Sequence, residues 1–189
     1  MQHWHKLAAV ALGAAIAVPA LAQEVYVIDT RHTSPAFEVT HIGFSQQRGL
    51  FGNTTGKVTL DRTAKKGTID ISIATASLVM APAFLNMVKG EDFLNVEKFP
   101  TMTYKSGDLV FDGDNLVSAN GDFTMLGVTR PVALKLTSFK CAPNPFNKKP
   151  MCGGEATGTI KRSEFGMKAA LGAASDDVRI VIAFEGVKE

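Results

Sequence analysis

Period-two alternation of apolar and polar residues, recurring from Leu50 to Glu185, constrains this chain more than any other feature. The clearest runs are Ile69-Asp70-Ile71-Ser72-Ile73 and Val178-Arg179-Ile180-Val181-Ile182-Ala183-Phe184. Successive side chains on a strand point to opposite faces, so each run lines one oily surface and turns the other toward water. Many such strands with little helix between them predict an all-β fold, closed as an antiparallel barrel or stacked as a sandwich.

The amino terminus sets the expected compartment. Lys6, with His3 and His5, precedes an apolar run from Leu7 to Val18, and Ala20-Leu21-Ala22 supplies the small-x-small pattern of a cleavage site. This reads as a secretory signal over residues 1–22, too short to span a membrane. Residues 23–189 remain, the length of one domain. The expected location is the periplasm. Losing Lys6 lowers an already small net charge of +2, so nothing suggests electrostatic capture of nucleic acid. Cys141 and Cys152 are the chain's two cysteines. In an oxidising compartment they are expected to form a disulfide; the spacing is not C-x-x-C and no histidine stands nearby to suggest a metal.

Strands are expected at Val25–Asp29 and Pro35–Ile42, in a glycine-punctuated third strand ending near Leu60, and around Ile69–Ile73. Further strands follow at Thr101–Tyr104, Asp108–Phe111, Leu116–Thr124, Val132–Phe139, Glu155–Ile160 and Asp177–Glu185. One segment breaks the pattern. Ala81, Phe84, Leu85 and Val88 recur at helical spacing, with Pro82 suited to a first turn and Gly90 to a stop. No Ser, Thr, Asp or Asn caps its start. Such an oily helix serves either as a core plug or as a lid over a cavity mouth.

Several motifs stand in a recognisable order. They are Asp29-Thr30-Arg31-His32-Thr33, Phe37-Glu38-Val39-Thr40-His41, Gly49-Leu50-Phe51-Gly52, Thr55-Gly56-Lys57-Val58, Phe93, Phe99-Pro100, the segment from Gly121 to Val132, and Arg162-Ser163-Glu164-Phe165-Gly166-Met167. Together they make the chain resemble the YceI-like family of lipid- and polyisoprenoid-binding proteins across nearly all of residues 23–189. Thr33 stands where the family commonly has serine, and the apolar Ala81–Met87 stretch replaces a charged one. The resemblance implies a lipocalin-like barrel of about eight strands, with a short helix near one mouth and a tunnel for an isoprenoid chain such as a quinone or its precursor.

On that reading the strand faces supply the ligand-binding wall: Phe37, Val39, Ile69, Ile71, Ile73, Leu134, Leu136, Ile180, Ile182 and Phe184. Phe84 and Leu85 of the helix, Phe93 and Phe165 complete the candidate set. His41 follows Phe37 and Val39 on one face, where it meets either a ligand oxygen or a neighbouring protein group. Asp29 and His32 are expected to cap a turn together. Arg162 is expected to pair with Glu164 or Asp176, or else to meet an anionic headgroup.

No G-x-S-x-G elbow, H-E-x-x-H helix, phosphate loop or dinucleotide fingerprint is present, so neither an enzyme nor a cofactor is expected. A metal site built on His32, His41 and a carboxylate is the remaining catalytic alternative. The expected partner is the lipid itself, with transient contact to the inner membrane or to a membrane electron-transfer protein; pairing into a homodimer stays open. An accessory role beside such a membrane partner is the rival to carriage.

Overall fold

The alternating segments fold into strands that close on themselves. A computed structural model describes residues 23–189; the expected signal at 1–22 lies outside the described residues. The strands are β1 (Glu24–Ile28), β2 (Ser34–His41), β3 (Ser45–Phe51), β4 (Thr54–Asp61), β5 (Lys66–Ala74), β6 (Leu78–Met80), β7 (Thr101–Asp112), β8 (Asn115–Met125), β9 (Val128–Pro143), β10 (Pro150–Lys161) and β11 (Asp177–Lys188). One helix, α1, spans Pro82–Lys89. All pairings are antiparallel, in the order β1-β4-β5-β7-β8-β9-β10-β11, and β11 pairs back to β1. That circuit is an eight-stranded barrel.

The remaining three strands form a flap. The end of β11 pairs with β1 through Gly186–Lys188, while its earlier part, Arg179–Ala183, pairs with β2. β3 and β6 extend the flap outward from β2. β6 runs toward the β2–β3 turn, and α1 follows directly, so the helix lies at that end of the barrel. The β9–β10 hairpin lies at the other end.

Sequence detail explains the departures from the expected strands. The glycine-punctuated third strand is two strands, β3 and β4, separated at Gly52-Asn53. A Cβ on Gly49 would stand 2.6 Å from the Phe37 ring and 2.9 Å from Leu78 Cδ1, so only glycine lets the flap pack this closely. Gly56 has φ +140° and would place a Cβ 2.1 Å from the Asp70 carbonyl oxygen. The two short segments expected at 101–104 and 108–111 are one strand, β7, whose register shifts between Lys105 and Asp108. That bulge interrupts the alternation without ending the strand. α1 begins and ends where its residues predict, with Pro82 at the first turn, no side-chain cap, and Gly90 N–H donating to the Met87 carbonyl at 3.0 Å.

The cysteines are bonded. Cys141 on β9 and Cys152 on β10 stand opposite each other, with Cα atoms 4.1 Å apart. The closed loop is short, so the chain-entropy model gives a stabilisation of about 3 kcal/mol. Replacing both cysteines with alanine is expected to cost roughly that much in urea unfolding; a change under 0.5 kcal/mol would contradict it.

A cavity lined by the alternating faces

The barrel is hollow. Its cavity has a volume of about 520 Å³ and reaches from α1 to the disulfide end, where Cys152 and Phe184 border it. The size falls within the ordinary range for small-ligand sites, roughly 300–1,000 Å³. β2 contributes Phe37, Val39 and His41; β5 contributes Ile69, Ile71 and Ile73; β9 contributes Leu134 and Leu136; β11 contributes Ile180, Ile182 and Phe184. Phe84 of α1 and Phe93 after it complete the expected wall. Parity along each strand put these side chains inside, as the alternation predicts.

Two candidates stand elsewhere. Phe165 is 1% exposed in a 3-10 turn after β10 and does not reach the cavity. Its ring packs edge-on against Phe123, centroids 5.5 Å apart, so it is a core anchor behind the wall. Leu85 packs against the apolar cluster, but α1 faces the cavity through Phe84, Met87 and Val88. Because α1 has no fully buried residue, it covers the cavity as a lid and does not plug the core.

The sequence reading passed over other wall residues. Met102 and Tyr104 on β7, and Phe123 and Met125 on β8, line the cavity at the same period of two. For Met102, Tyr104 and Phe123 that signal lies within the expected strands, whereas Met125 stands one residue past the expected Leu116–Thr124. Thr54, first residue of β4, also joins the wall and carried no apolar signal at all.

Polar groups on the wall are few, and most are satisfied. Thr33 Oγ1 donates to the Glu185 carbonyl at 3.2 Å and accepts from its N–H at 3.1 Å. The Tyr104 hydroxyl reaches the carbonyls of Ala119 at 2.9 Å and Val132 at 3.0 Å, and burial pushes its pKa up to about 12. The Tyr26 hydroxyl turns away to donate to Glu24 at 2.7 Å.

Arg162 corrects an expectation. It is 3% exposed, and its guanidinium forms no ion pair among the described residues; only its backbone N–H meets Asp176, donating to that residue's carbonyl at 3.0 Å. Its guanidinium donates to the carbonyls of Ser175, Met167, Ala169 and Ala174, tying down the loop before β11. Asp176 instead accepts from the Ser163 N–H and hydroxyl, which together hold its carboxyl below its ordinary value. The loop leaves carbonyls that strand pairing does not serve, and a five-donor side chain suits that task.

The histidines separate. His41 lines the cavity, its backbone bridged to Ala174, and no hydrogen bond to its ring forms among the described residues. His32 stands outside, where its Nδ1 lies 2.9 Å from Asp29 Oδ2 and 3.8 Å from Glu185 Oε2. Asp29 also accepts the Arg31 N–H at 3.0 Å, so the pair caps a turn as expected, and His32 holds the Asp29 carboxyl below its ordinary value. Asp29, His32 and Glu185 place donor atoms within 4.8 Å of one another, but His41 does not belong to that group. The two histidines therefore do not assemble the metal site that the catalytic alternative needs.

Comparison with known proteins agrees with this architecture. The family model described as the YceI-like domain matches residues 26–186. Protein YceI of Escherichia coli is 34% identical over 168 residues, covering 87% of each chain. A UPF0312 protein of Pseudomonas aeruginosa is 33% identical over 189 residues, covering 97% of each. Among solved structures, BcnA of Burkholderia cenocepacia superposes with a TM-score of 0.68 at 20% identity, over 84% of this chain and 98% of that one. A polyisoprenoid-binding domain from Saccharophagus degradans gives 0.62 at 13% identity, over 87% and 98%. The alternating strands, the closed barrel and the matched segment place this chain in the YceI-like family.

Proposed function

We propose that this chain is a binding protein, not an enzyme, which holds the tail of a polyisoprenoid lipid inside its barrel. The observation that carries the reading is a 520 Å³ cavity whose wall is apolar on every strand that faces it. The polyisoprenoid-binding domain of similar fold supports the choice of guest. The expected signal at 1–22 supports the periplasm as the place of action.

Energetics define what such a site must do. Burying a CH₂ from water yields about 0.8 kcal/mol, so a forty-carbon tail would gross roughly 30 kcal/mol. That exceeds the ceiling near 18 to 21 kcal/mol for non-covalent affinity. A bilayer already keeps such a tail dry, so transfer from membrane to barrel is near neutral and reversible. Capacity is also finite. A cavity in the small-ligand range encloses part of such a tail, not all of it.

Loading needs contact with the lipid's source. Phe44 is 90% exposed and Ile42 57% exposed at the β2–β3 turn, and Met87 of α1 is 50% exposed at the same end. Ile42 takes φ +48° beside Gly43 at +75°, a conformation that suits asparagine far better than a β-branched residue. This apolar rim at the lidded end is suited to touch the inner membrane while the tail crosses. Mass spectrometry of organic extracts from freshly purified protein is expected to show one prenyl lipid per chain. Solvent alone, or mixed phospholipid, would contradict the reading.

A further inference from the structure

Thr54 carries the one buried side-chain polar atom among the described residues that lacks a hydrogen-bond partner, its Oγ1. The residue is fully buried and opens β4 at the parity of Val58 and Leu60, which puts its side chain toward the cavity they line together. Its threonine and serine neighbours at this corner are served. Thr30 Oγ1 donates to the Thr54 carbonyl at 2.9 Å, the Asn53 N–H to Ser77 Oγ at 3.1 Å, Ser77 Oγ to the Ala74 carbonyl at 2.6 Å, and Thr75 Oγ1 to the Phe99 carbonyl at 2.8 Å. Leaving a buried hydroxyl unpaired is costly, and valine would fill the same space without that cost. A threonine here needs a partner that the protein itself does not supply.

Its level in the barrel says which part of a ligand that partner is. Thr54 stands opposite Ile73, and Ile73 opposite Met102, at the α1 end of their strands. His41 and Arg162 border the cavity at this end too, whereas Leu60, Leu116 and Phe184 line the far end. The unserved hydroxyl thus lies under the lid, whereas the polar wall residues toward the disulfide end, Thr33 and Tyr26, already have partners. Arg162, the cation on this wall, spends its guanidinium on loop carbonyls.

We propose that Thr54 Oγ1 donates a hydrogen bond to a single uncharged oxygen on the ligand's head. The cavity then selects a prenyl alcohol or isoprenoid quinone over a bare hydrocarbon, with the tail pointing to the disulfide end. This rests on the lipid-binding reading above. The water-excluded hydroxyl is reached when the occupant shifts an adjacent apolar side chain.

The test compares three probes displacing a fluorescent fatty ligand: geranylgeraniol, a quinone with the same tail, and the saturated hydrocarbon of that skeleton. Wild type is expected to prefer both oxygen-bearing probes by about tenfold, the worth of one buried hydrogen bond. Whichever of the two it holds more tightly identifies the head. Thr54→Val is expected to bring all three within twofold while raising the melting temperature of the ligand-free protein; Thr54→Ser keeps the preference. Should Thr54→Val not fold, Thr54→Ala carries the same binding expectation. A preference that survives Thr54→Val, or is absent from wild type, overturns the assignment and leaves the container intact. Failure of wild type to bind any of the three overturns both.

Discussion

Ile71→Glu is expected to abolish lipid retention at pH 7 while the barrel still folds. Ile71 lies midway along β5 on the cavity wall and is only half-buried, because hollow space faces it. A glutamate there has room, and water entering the empty cavity solvates it, so the expected loss of stability is about 1–2 kcal/mol. A bound tail must strip that water from an ionised carboxylate, which costs several kcal/mol. The affinity for prenyl probes should therefore fall at least ~100-fold, read by probe displacement beside a circular-dichroism melt. Outright unfolding would mean that the interior is a packed core. Unchanged binding would mean that the tail goes elsewhere.

Phe165→Ala should do the reverse. Phe165 is among the most deeply buried side chains, at 1% exposure, and holds its 3-10 turn against Phe123 behind the cavity wall. Large-to-small substitutions at such sites cost about 3–5 kcal/mol, through lost transfer energy and the void left behind. A domain of this size has only about 5–15 kcal/mol to lose. The variant should melt far lower, yet the folded fraction should bind prenyl probes within a few-fold of wild type. A stable Phe165→Ala that no longer binds would place the ring in the site after all. The two variants together separate wall from core, a distinction that hydrophobicity alone does not make.

Much of this architecture was legible in the chain because one periodicity carried it. Parity along β2, β5, β9 and β11 told inside from outside for each expected lining residue on them, and Pro82 and Gly90 bounded α1 correctly; Phe139, beyond the register shift beside Ser138, lines the cavity at the opposite parity to Leu136. What alternation could not show was emptiness, since the same pattern serves a filled barrel and a hollow one. The family resemblance supplied that expectation. Bulges hid continuity: the register shift at Lys105–Asp108 made β7 look like two strands. Motif membership also misled, because Phe165 sits in a family landmark yet serves packing, and Arg162 beside it serves loop carbonyls. Thr54 was invisible for a different reason. A lone threonine at a strand start means nothing until neighbouring donors and acceptors are paired off and its hydroxyl is left over.

The most direct trial is a crystal structure of the purified protein loaded with a prenyl alcohol brominated at the tail end. Anomalous bromine signal near Cys152 and Phe184, joined by unbroken density to an oxygen beneath α1, is the result expected. Bromine on the outer surface, with side chains fallen inward to close the barrel, would contradict the account.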